Sequence, residues 1–570
     1  MVDSIPKSVI RRLFSSECGA SDRLIPRWLF LRALGLIYFS AFYSLVVQIR
    51  GLIGPQGVLP AREYLQAVAQ SGVAHVRFWY APSLLWISSG SGMLMALCWI
   101  GMIGSLLLLV NFWPRAMLVI CFVCFLSFIS TARDFSEYQS DGMLLEAGFV
   151  CLFFAPPGLR PGLGAKHPPS APQQPQPRRL LGTLPSRASL FLLQWEWFRI
   201  YFESGIVKLA SGEPQWRNFT AMDEYYQNGP LPTWIGWYLQ HSPHWFHATA
   251  TGATLVMELG LIWMILLPRR FRIILFWIVT VWELGVISSA NYAFLNYLVL
   301  SLGILLVDDR FVLRWIPEKW RPRVPVEPAA ANLPKTQAGQ AEVSKSEDAG
   351  QEGSMFRLPG FIRQHFGALK LAVSAVILTW ICYVTAAELV LIVRPRAPLP
   401  TTPIVMLQPF RIANQYGLFA VMTHGRYEIE FQGSKDGQNW IAYEFRNKPQ
   451  VLNDAPGIYA PYQPRFDWNL WFASLGSWTE NPIVPNTEVR LLANSPDVLK
   501  LFRGNPFADA PPKQVRAVLW QYWFTTMAEK RATGNWWRRQ LLGPYAPTLE
   551  SQPDGKIGVV EMPQELPSHR

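Results

Sequence analysis

The strongest constraint on this chain is a succession of apolar runs of lipid length. A transmembrane helix needs about 20 mostly apolar residues. Only 16% of the 570 residues are charged, whereas a soluble protein carries about 25%. The sequence therefore predicts a multi-pass α-helical membrane domain with about nine spans. The candidate spans are 28–49, 91–110, 114–131, 142–156, 189–209, 250–267, 271–289, 293–307 and 371–393.

Basic residues give the spans a direction. Loops on the cytoplasmic side of a membrane are enriched in Lys and Arg. The basic N-terminal tail, before residue 28, is therefore assigned to the cytoplasm. Counting nine spans puts three further basic segments, 157–187, 268–272 and 308–369, on the same side. Residues after 393 then lie in the periplasm or lumen. The net charge of +12 is attributed to these span-flanking residues, so the lipid bilayer is the expected partner and nucleic acid is not.

The C-terminal region has the pattern of a water-soluble, strand-rich domain. Residues 427–431 alternate polar and apolar, 435–437 form a hairpin turn signal, and 440–445 read as the returning strand. A short helical part is expected around 496–503. We predict a β-sandwich-like extramembrane domain, which must fold without disulfides because no Cys follows Cys382.

These patterns divide the chain into five parts. The predicted parts are a multi-pass membrane domain (1–310), a partly disordered cytoplasmic linker (311–369), a last transmembrane helix (370–394), a β-rich periplasmic or lumenal domain (400–545) and a flexible tail (546–570).

The fifth span carries charges at membrane depth. Glu196, Arg199 and Glu203 share one helical face, and Lys208 follows a turn later, rotated away. A lone charge at the bilayer centre costs about 2.5–3.5 kcal/mol on insertion scales, so these side chains should face protein or a wet cavity. They could form a functional polar site, with Lys208 as a base, or an ion-pair network that fixes helix register. Candidate partners in other spans are Glu146, Glu258 and Glu283.

An aromatic segment, 211–247, follows this span on the outer face. Its aromatic side chains could rest at the membrane interface or contact another protein. His241, His244 and His247 lack a carboxylate or Cys at ligand spacing, so no metal site is predicted.

At several ordered blocks the chain resembles the lipase maturation factor family. One block is Phe202-Glu-Ser-Gly205-Ile-Val-Lys208-Leu, continuing to Trp216-Arg217-Asn-Phe-Thr220-Ala221-Met. The other blocks are 48–60, 230–238, 414–419, 461–473 and 504–507. The resemblance covers nearly the whole chain. It implies a multi-pass membrane protein of the endoplasmic reticulum type that assists the folding of secreted lipases and acts more as a dedicated folding factor than as an enzyme.

Two departures from the animal pattern affect the expected location. The outer domain lacks Cys, and the chain ends Leu566-Pro-Ser-His-Arg570 without a retention signal. We therefore expect a bacterial inner-membrane protein, or an endoplasmic reticulum protein if the cell is eukaryotic. The N-terminus would be cytoplasmic and the C-terminal domain periplasmic or lumenal.

A shorter resemblance covers the membrane half alone. Gly205-Ile-Val-Lys208-Leu followed by Trp216 is similar to a pattern in vitamin K-dependent γ-glutamyl carboxylase and its bacterial relatives. In that family a matching Lys is the proposed base. It implies an alternative in which Lys208 is a catalytic base acting on a quinone or lipid-like substrate.

The first hypothesis is a maturation factor that needs no cofactor and contacts an exported lipase or another secreted client. The second is the intramembrane enzyme, and the third is a transporter, for which no inverted repeat is visible. The intramembrane polar network would be Glu196, Arg199, Glu203 and Glu258. The candidate client contacts are Trp216, Arg217, Tyr225, Tyr226, Trp237, Asp467, Trp468 and Asn505.

Overall fold

The computed structural model describes residues 5–136, 138–166, 181–321 and 360–563. Helices dominate the chain up to residue 407, and a mixed helix and sheet unit follows. The helices are α1 Ile5–Phe14, α2 Leu24–Ile53, α3 Ala61–Gln70, α4 Arg77–Tyr80, α5 Ser91–Leu109, α6 Pro114–Ile129, α7 Gln139–Phe154, α8 Arg187–Ala210, α9 Pro214–Arg217, α10 Ala221–Asn228, α11 Trp234–Gln240, α12 His244–Leu259, α13 Arg269–Ser289, α14 Leu295–Gly303, α15 Asp309–Trp315, α16 Gly360–Val393, α17 Thr402–Leu407, α18 Arg465–Ala473, α19 Ile483–Leu492, α20 Pro496–Leu499 and α21 Met527–Thr533. The strands are β1 Ala165–Lys166, β2 Leu181–Gly182, β3 Arg426–Ser434, β4 Trp440–Ala442, β5 Gln514–Phe524, β6 Trp537–Pro544, β7 Thr548–Ser551 and β8 Ile557–Glu561.

All nine predicted spans fall on helices, which confirms the multi-pass helical class. Five helical segments in the described residues are long and apolar enough to cross a membrane. These are α2, α5, α12 with its 3₁₀ extension to Leu266, α13, and α16 from Gly367. Two shorter apolar segments, Pro114–Ile129 and Leu295–Leu306, accompany them. The helices α7 and α8 carry buried charged side chains. The count of nine spans stays a prediction.

Helix α2 is fixed at its first turn by groups from distant parts of the chain. The first backbone N–H groups of a helix have no partner within it. Asp309 accepts two of them, from Leu24 at 3.2 Å and from Ile25 at 2.7 Å. About two turns later, Arg32 donates to the carbonyls of Leu108 and Leu109, both at 3.1 Å. These carbonyls end α5, so α2 and α5 are tied together at this end.

The chain turns back along α16 after leaving it. Trp380 Nε1 donates to the Pro403 carbonyl at 3.1 Å, and the Tyr383 hydroxyl donates to the Pro400 carbonyl at 2.9 Å. Trp380 lies 13 residues before Val393, or about 20 Å at the α-helical rise. The apolar helix α17 therefore packs beside the span instead of standing beyond it, and it delivers the following residues, 408–419, to the membrane domain.

The C-terminal unit, which we call the outer unit, is built on one antiparallel sheet. Its strand order is β4-β3-β5-β7-β8, and β6 also pairs with β5. The predicted alternation is confirmed: Ile429 and Phe431 are fully buried on one face, packed with α18 and α19. The hairpin is confirmed as well, because β3 pairs with β4 across the turn that Asp436 caps.

Three boundary or class predictions need correction. The unit has one sheet with helices packed on it instead of two facing sheets, because amphipathic helices α18 and α19 cover the apolar face. The tail predicted to be flexible, 546–570, holds strands β7 and β8, since Leu549 pairs with Val515. Helix α16 begins at Gly360, inside the predicted linker. The rest of that linker, 322–359, and the last residues, 564–570, lie outside the described residues.

The buried carboxyl of Asp467, in the outer unit, makes stability depend on pH. Burial raises the pKa of Asp467 to about 6, against a hydrogen bond donated by Asn447 at 2.6 Å. A carboxyl whose pKa is raised in the folded state stays protonated to a higher pH there than in the unfolded chain. The free energy of unfolding therefore falls as pH rises from about 4 to about 6, and the loss is complete above that range.

We expect Asp467→Asn to raise the free energy of unfolding at pH 7.5 by roughly 1–3 kcal/mol and to flatten its dependence between pH 4 and pH 6. Thermal unfolding of the detergent-solubilised protein, followed by Trp fluorescence across this pH range, measures it. Asp509→Asn, at an exposed loop position, is the matched control. An unchanged pH profile in Asp467→Asn would contradict the assignment.

Candidate functional site

The charged side chains of the fifth predicted span meet in the middle of the membrane domain. Arg199 is fully buried on α8, and its Nη2 donates to Glu146 of α7. Its Nη1 donates to the Asn414 carbonyl at 2.5 Å and lies 3.8 Å from Glu203. The predicted pairing with Glu146 is therefore present. Glu196 is also fully buried, and neither of its carboxyl oxygens has a hydrogen-bond partner among the described residues.

The segment 411–419, which follows α17, closes this cluster. Glu146 accepts the Asn414 backbone N–H at 2.9 Å, and the Asn414 side chain also donates to the Gly142 carbonyl at 3.0 Å. Glu203 accepts the Tyr416 backbone N–H at 2.7 Å. We call residues 411–419 the plug segment. Buried charges must be paired and hydrogen-bonded, and the plug segment supplies donors that the helices themselves lack.

Lys208 lies on α8 five residues after Glu203 and has its own partner. Its Nζ donates to Glu258 of α12 at 2.7 and 2.8 Å and to Ser204 at 2.6 Å. An ammonium has three protons to donate, and these contacts occupy all three. The same Nζ lies 5.0 Å from the centre of the Trp216 ring. This arrangement favours a structural ion pair over a free base at Lys208.

A cavity of about 100 Å³ lies beside this pair. It is lined by Lys208 and Glu258, by aromatic side chains including Tyr225 and Tyr292, and by Tyr416 of the plug segment. Glu283 also lines the cavity, and it accepts from Tyr201 at 2.5 Å and from Asn296 at 2.8 Å. Both carboxylates are thus already satisfied by protein groups. The wall offers aromatic surface, hydroxyl groups and paired charges, and the described residues contain no cluster of His, Cys, Asp or Glu that could hold a metal ion.

Part of the aromatic segment 211–247 forms an internal interface, whereas Phe219, Trp234, Tyr238 and Trp245 are exposed. Trp237 is fully buried in a cluster with Tyr522, Phe524 and Trp537 of the outer sheet. Trp216 is 1% exposed, and its Nε1 donates to the Phe419 carbonyl at 2.8 Å. These aromatic side chains join the membrane domain to the outer unit and do not face solvent. Both bulk and a polar edge suit Trp to such a junction.

The other candidate client contacts are distributed unevenly. Asp467 and Trp468 are buried on α18 of the outer unit. Tyr226 is buried against His247. The half-buried candidates are Tyr225 and Asn505. Arg217 is the one of the eight that is exposed. Five of the eight side chains are therefore buried within the chain, so the set does not form one exposed surface, and client contact by its members stays a prediction.

Two buried Arg side chains from the outer unit complete the junction. Arg465 makes two hydrogen bonds of 2.7 Å to Asp141 of α7 and a third, also 2.7 Å, to the Phe135 carbonyl. Arg426 donates to the carbonyls of Gln227, Gly229 and Pro230, just where α10 ends. Helix C-termini leave carbonyls without partners, and a cation is favourable there.

Sequence reasoning did not assign these two arginines a role. Arg465 stands in one of the blocks that resemble the family, and Asp141 interrupts the start of an apolar run. An acid and a base at such places are a usable signal for a buried pair. Arg426 has no comparable signal, because it precedes an ordinary alternating strand.

Comparison with known proteins covers almost all of this architecture. A family model described as the lipase maturation factor transmembrane domain matches residues 25–314, and one described as the lipase maturation factor C-terminal domain matches 412–547. Lipase maturation factor 2 of Homo sapiens is 30% identical, over 93% of this chain and 83% of that protein. Lipase maturation factor 1 of Bos taurus is 29% identical, over 93% of this chain and 89% of that protein.

The chain belongs to the lipase maturation factor family. No solved structure matches it. The family's two domain models separate regions that the fold joins. The plug segment begins the part matched by the C-terminal model, yet its backbone is hydrogen-bonded to Glu146 and Glu203 inside the transmembrane part.

The pairing between Arg199 and Glu146 can be tested by removing the Arg199 guanidinium. Removing one member of a buried ion pair leaves an uncompensated charge and costs about 3–5 kcal/mol. We expect Arg199→Met to lower thermal stability in detergent strongly, and Arg199→Met with Glu146→Gln to recover a large part of the loss. Gln keeps an acceptor for the Asn414 N–H while removing the charge.

Size-exclusion profiles and thermal unfolding of the two variants measure the effect. Arg217→Met, at an exposed position, is the control for losing an Arg of the same region. A single variant as stable as the parent, or a double variant no better than the single one, would refute the proposed pairing.

Proposed function

We propose that this protein is a membrane-embedded maturation factor that assists the folding of exported lipases and related secreted proteins. The observation that carries the proposal is the match of both family domains along one chain, with relatives that bear the name lipase maturation factor over more than nine-tenths of its length. The membrane domain serves as the anchor, and the outer unit is the part that meets the client.

The geometry supports this division of roles. Arg426 and Arg465 fix the outer unit to the membrane domain through fully buried contacts. The sheet is therefore held at a defined place above the bilayer. Trp216 and Trp237 are buried in this attachment, so client contacts fall to side chains that remain exposed. Arg217 and several apolar residues of the outer unit meet that condition.

We also propose that the outer unit lies in the periplasm of a bacterial cell, or in the lumen of the endoplasmic reticulum of a eukaryotic one, with the N-terminal tail in the cytoplasm. Two observations support this arrangement. The basic loops lie on the side of the N-terminal tail when spans are counted. Trp237 and Trp216, on the other side, are packed against the outer unit.

The functional proposal is tested by co-expression with a secreted lipase encoded in the same genome. In a host that lacks the factor, we expect the factor to raise both secreted lipase activity and the amount of folded lipase. A double variant, Lys208→Met with Glu258→Gln, removes the intramembrane ion pair without leaving a lone charge. We expect it to retain the effect on the lipase, because its contacts are structural.

The outcomes separate the hypotheses. Lipase activity that does not respond to the factor contradicts the maturation role. A Lys208→Met/Glu258→Gln variant that accumulates normally but has lost the effect contradicts a purely structural ion pair and supports chemistry at Lys208. Accumulation in the membrane, measured by immunoblot, is the control for folding.

Membrane orientation is tested with a membrane-impermeant maleimide. Cys18 is exposed near the N-terminus, and the other cysteines are buried or half-buried. Ala532 is exposed on helix α21 of the outer unit. With the protein in a bacterial inner membrane, we expect Ala532→Cys in a Cys18→Ser background to react in intact cells or right-side-out vesicles. Cys18 should react only after permeabilisation, and labelling of both from the same side would refute the orientation.

A further inference from the structure

The outer sheet ends in an edge strand that is unusually apolar. Strand β8 pairs with β7 on one side, and no strand pairs with its other side in the described part of the chain. Ile557, Val559, Val560 and Met562 around it are 45%, 57%, 51% and 60% exposed. Successive side chains of a strand point to opposite faces, so both faces of this strand are apolar and open to solvent.

Natural sheets protect such edges with very short strands, charges or Pro, because open backbone groups attract another strand. The other edges of this sheet follow that rule. Strand β4 has only three residues. Strand β6 carries two successive arginines, Arg538 and Arg539. Strand β8 is longer than β4, at five residues, and its charges stand only at its ends, at Lys556 just before it and at Glu561, its last residue.

We propose that β8 is the client-binding edge of this protein: it pairs with extended, apolar segments of an exported polypeptide that has not yet folded. This inference rests on the proposed function. Backbone pairing at an edge accepts many sequences, while exposed apolar side chains select apolar segments. Both properties suit a factor that recognises many apolar segments of an incompletely folded chain instead of one defined epitope.

The length of β8 argues against a second copy as the occupant. Five residues extend about 17 Å, and so short an edge cannot supply the ~1,200 Å² that a stable protein interface buries. A short edge instead gives contacts that form and dissociate readily. A client must be released when it folds, so weak edge pairing fits this partner.

Crosslinking in the membrane tests the inference. A photoreactive p-benzoylphenylalanine is placed at Val559 in the full-length protein, which is co-expressed with the secreted lipase. The matched control position is Ile441 on β4, which is 51% exposed on the short, protected edge. We expect a crosslinked product with the lipase from position 559 and roughly fivefold less from position 441. In a separate control, folded lipase that is added to membranes containing the protein should not crosslink.

A paired variant, Val559→Lys with Val560→Lys, places charges on the edge without altering buried residues. We expect it to insert and unfold like the parent but to lose most of the effect on lipase folding, while Ile441→Lys retains it. Crosslinks from position 559 to a second copy of the chain, or to residues 564–570, would overturn the assignment.

The inference and the function fail in different ways. If the parent protein raises lipase activity and the β8 variant does so equally well, the maturation role stands and β8 is not the client edge. If the parent has no effect on the lipase, the proposed function fails first. Equal crosslinking from positions 441 and 559 would show contact without preference for β8, which also contradicts the inference.

Discussion

The buried guanidinium of Arg199 determines how the two halves of this protein come together. A cation in the centre of a membrane domain is stable only when anions and carbonyls surround it. Glu146 provides one partner from α7, and the carbonyl of Asn414 provides another from the plug segment. The helices of the membrane domain therefore cannot complete their own polar interior. They need a segment that follows the last long helix in the chain.

This dependence explains why α16 is followed by a return into the membrane domain. Helix α17 runs back beside α16, and the plug segment reaches Glu146 and Glu203. Deleting the outer unit from residue 404 onward would remove these partners as well as the sheet. Loss of function in such a deletion would not separate a client-binding role from collapse of the membrane domain, whereas substitutions at exposed edge positions do.

The same physics acts at the boundary between membrane and water. Arg465 and Arg426 attach the outer unit by charge-assisted hydrogen bonds to Asp141 and to the carbonyls that end α10. Trp237 of the aromatic segment packs in one cluster with Trp537, over whose ring the Arg426 guanidinium lies. Because Arg426, Arg465 and Trp237 are buried in this junction, they are not available to a partner, whereas the edge of the sheet at β8 is exposed.

Periodicity and charge in the sequence determined the helical membrane class, the positions of its apolar helices, the alternating strand at 427–431 and the hairpin that follows it. They did so because span length and side-chain alternation are local properties of the chain. The sequence also determined that Glu196, Arg199, Glu203 and Lys208 must face protein, since lipid cannot solvate them. Only the tertiary structure decided which partners they have, because Arg199 pairs with residues 53 and 215 positions away. It also decided that helices, not a second sheet, cover the apolar face, and that Trp216 and Trp237 of the aromatic segment are buried while Trp234 and Trp245 are exposed. Burial is set by what packs on a residue, and no local pattern around Trp237 records that Trp537 lies against it.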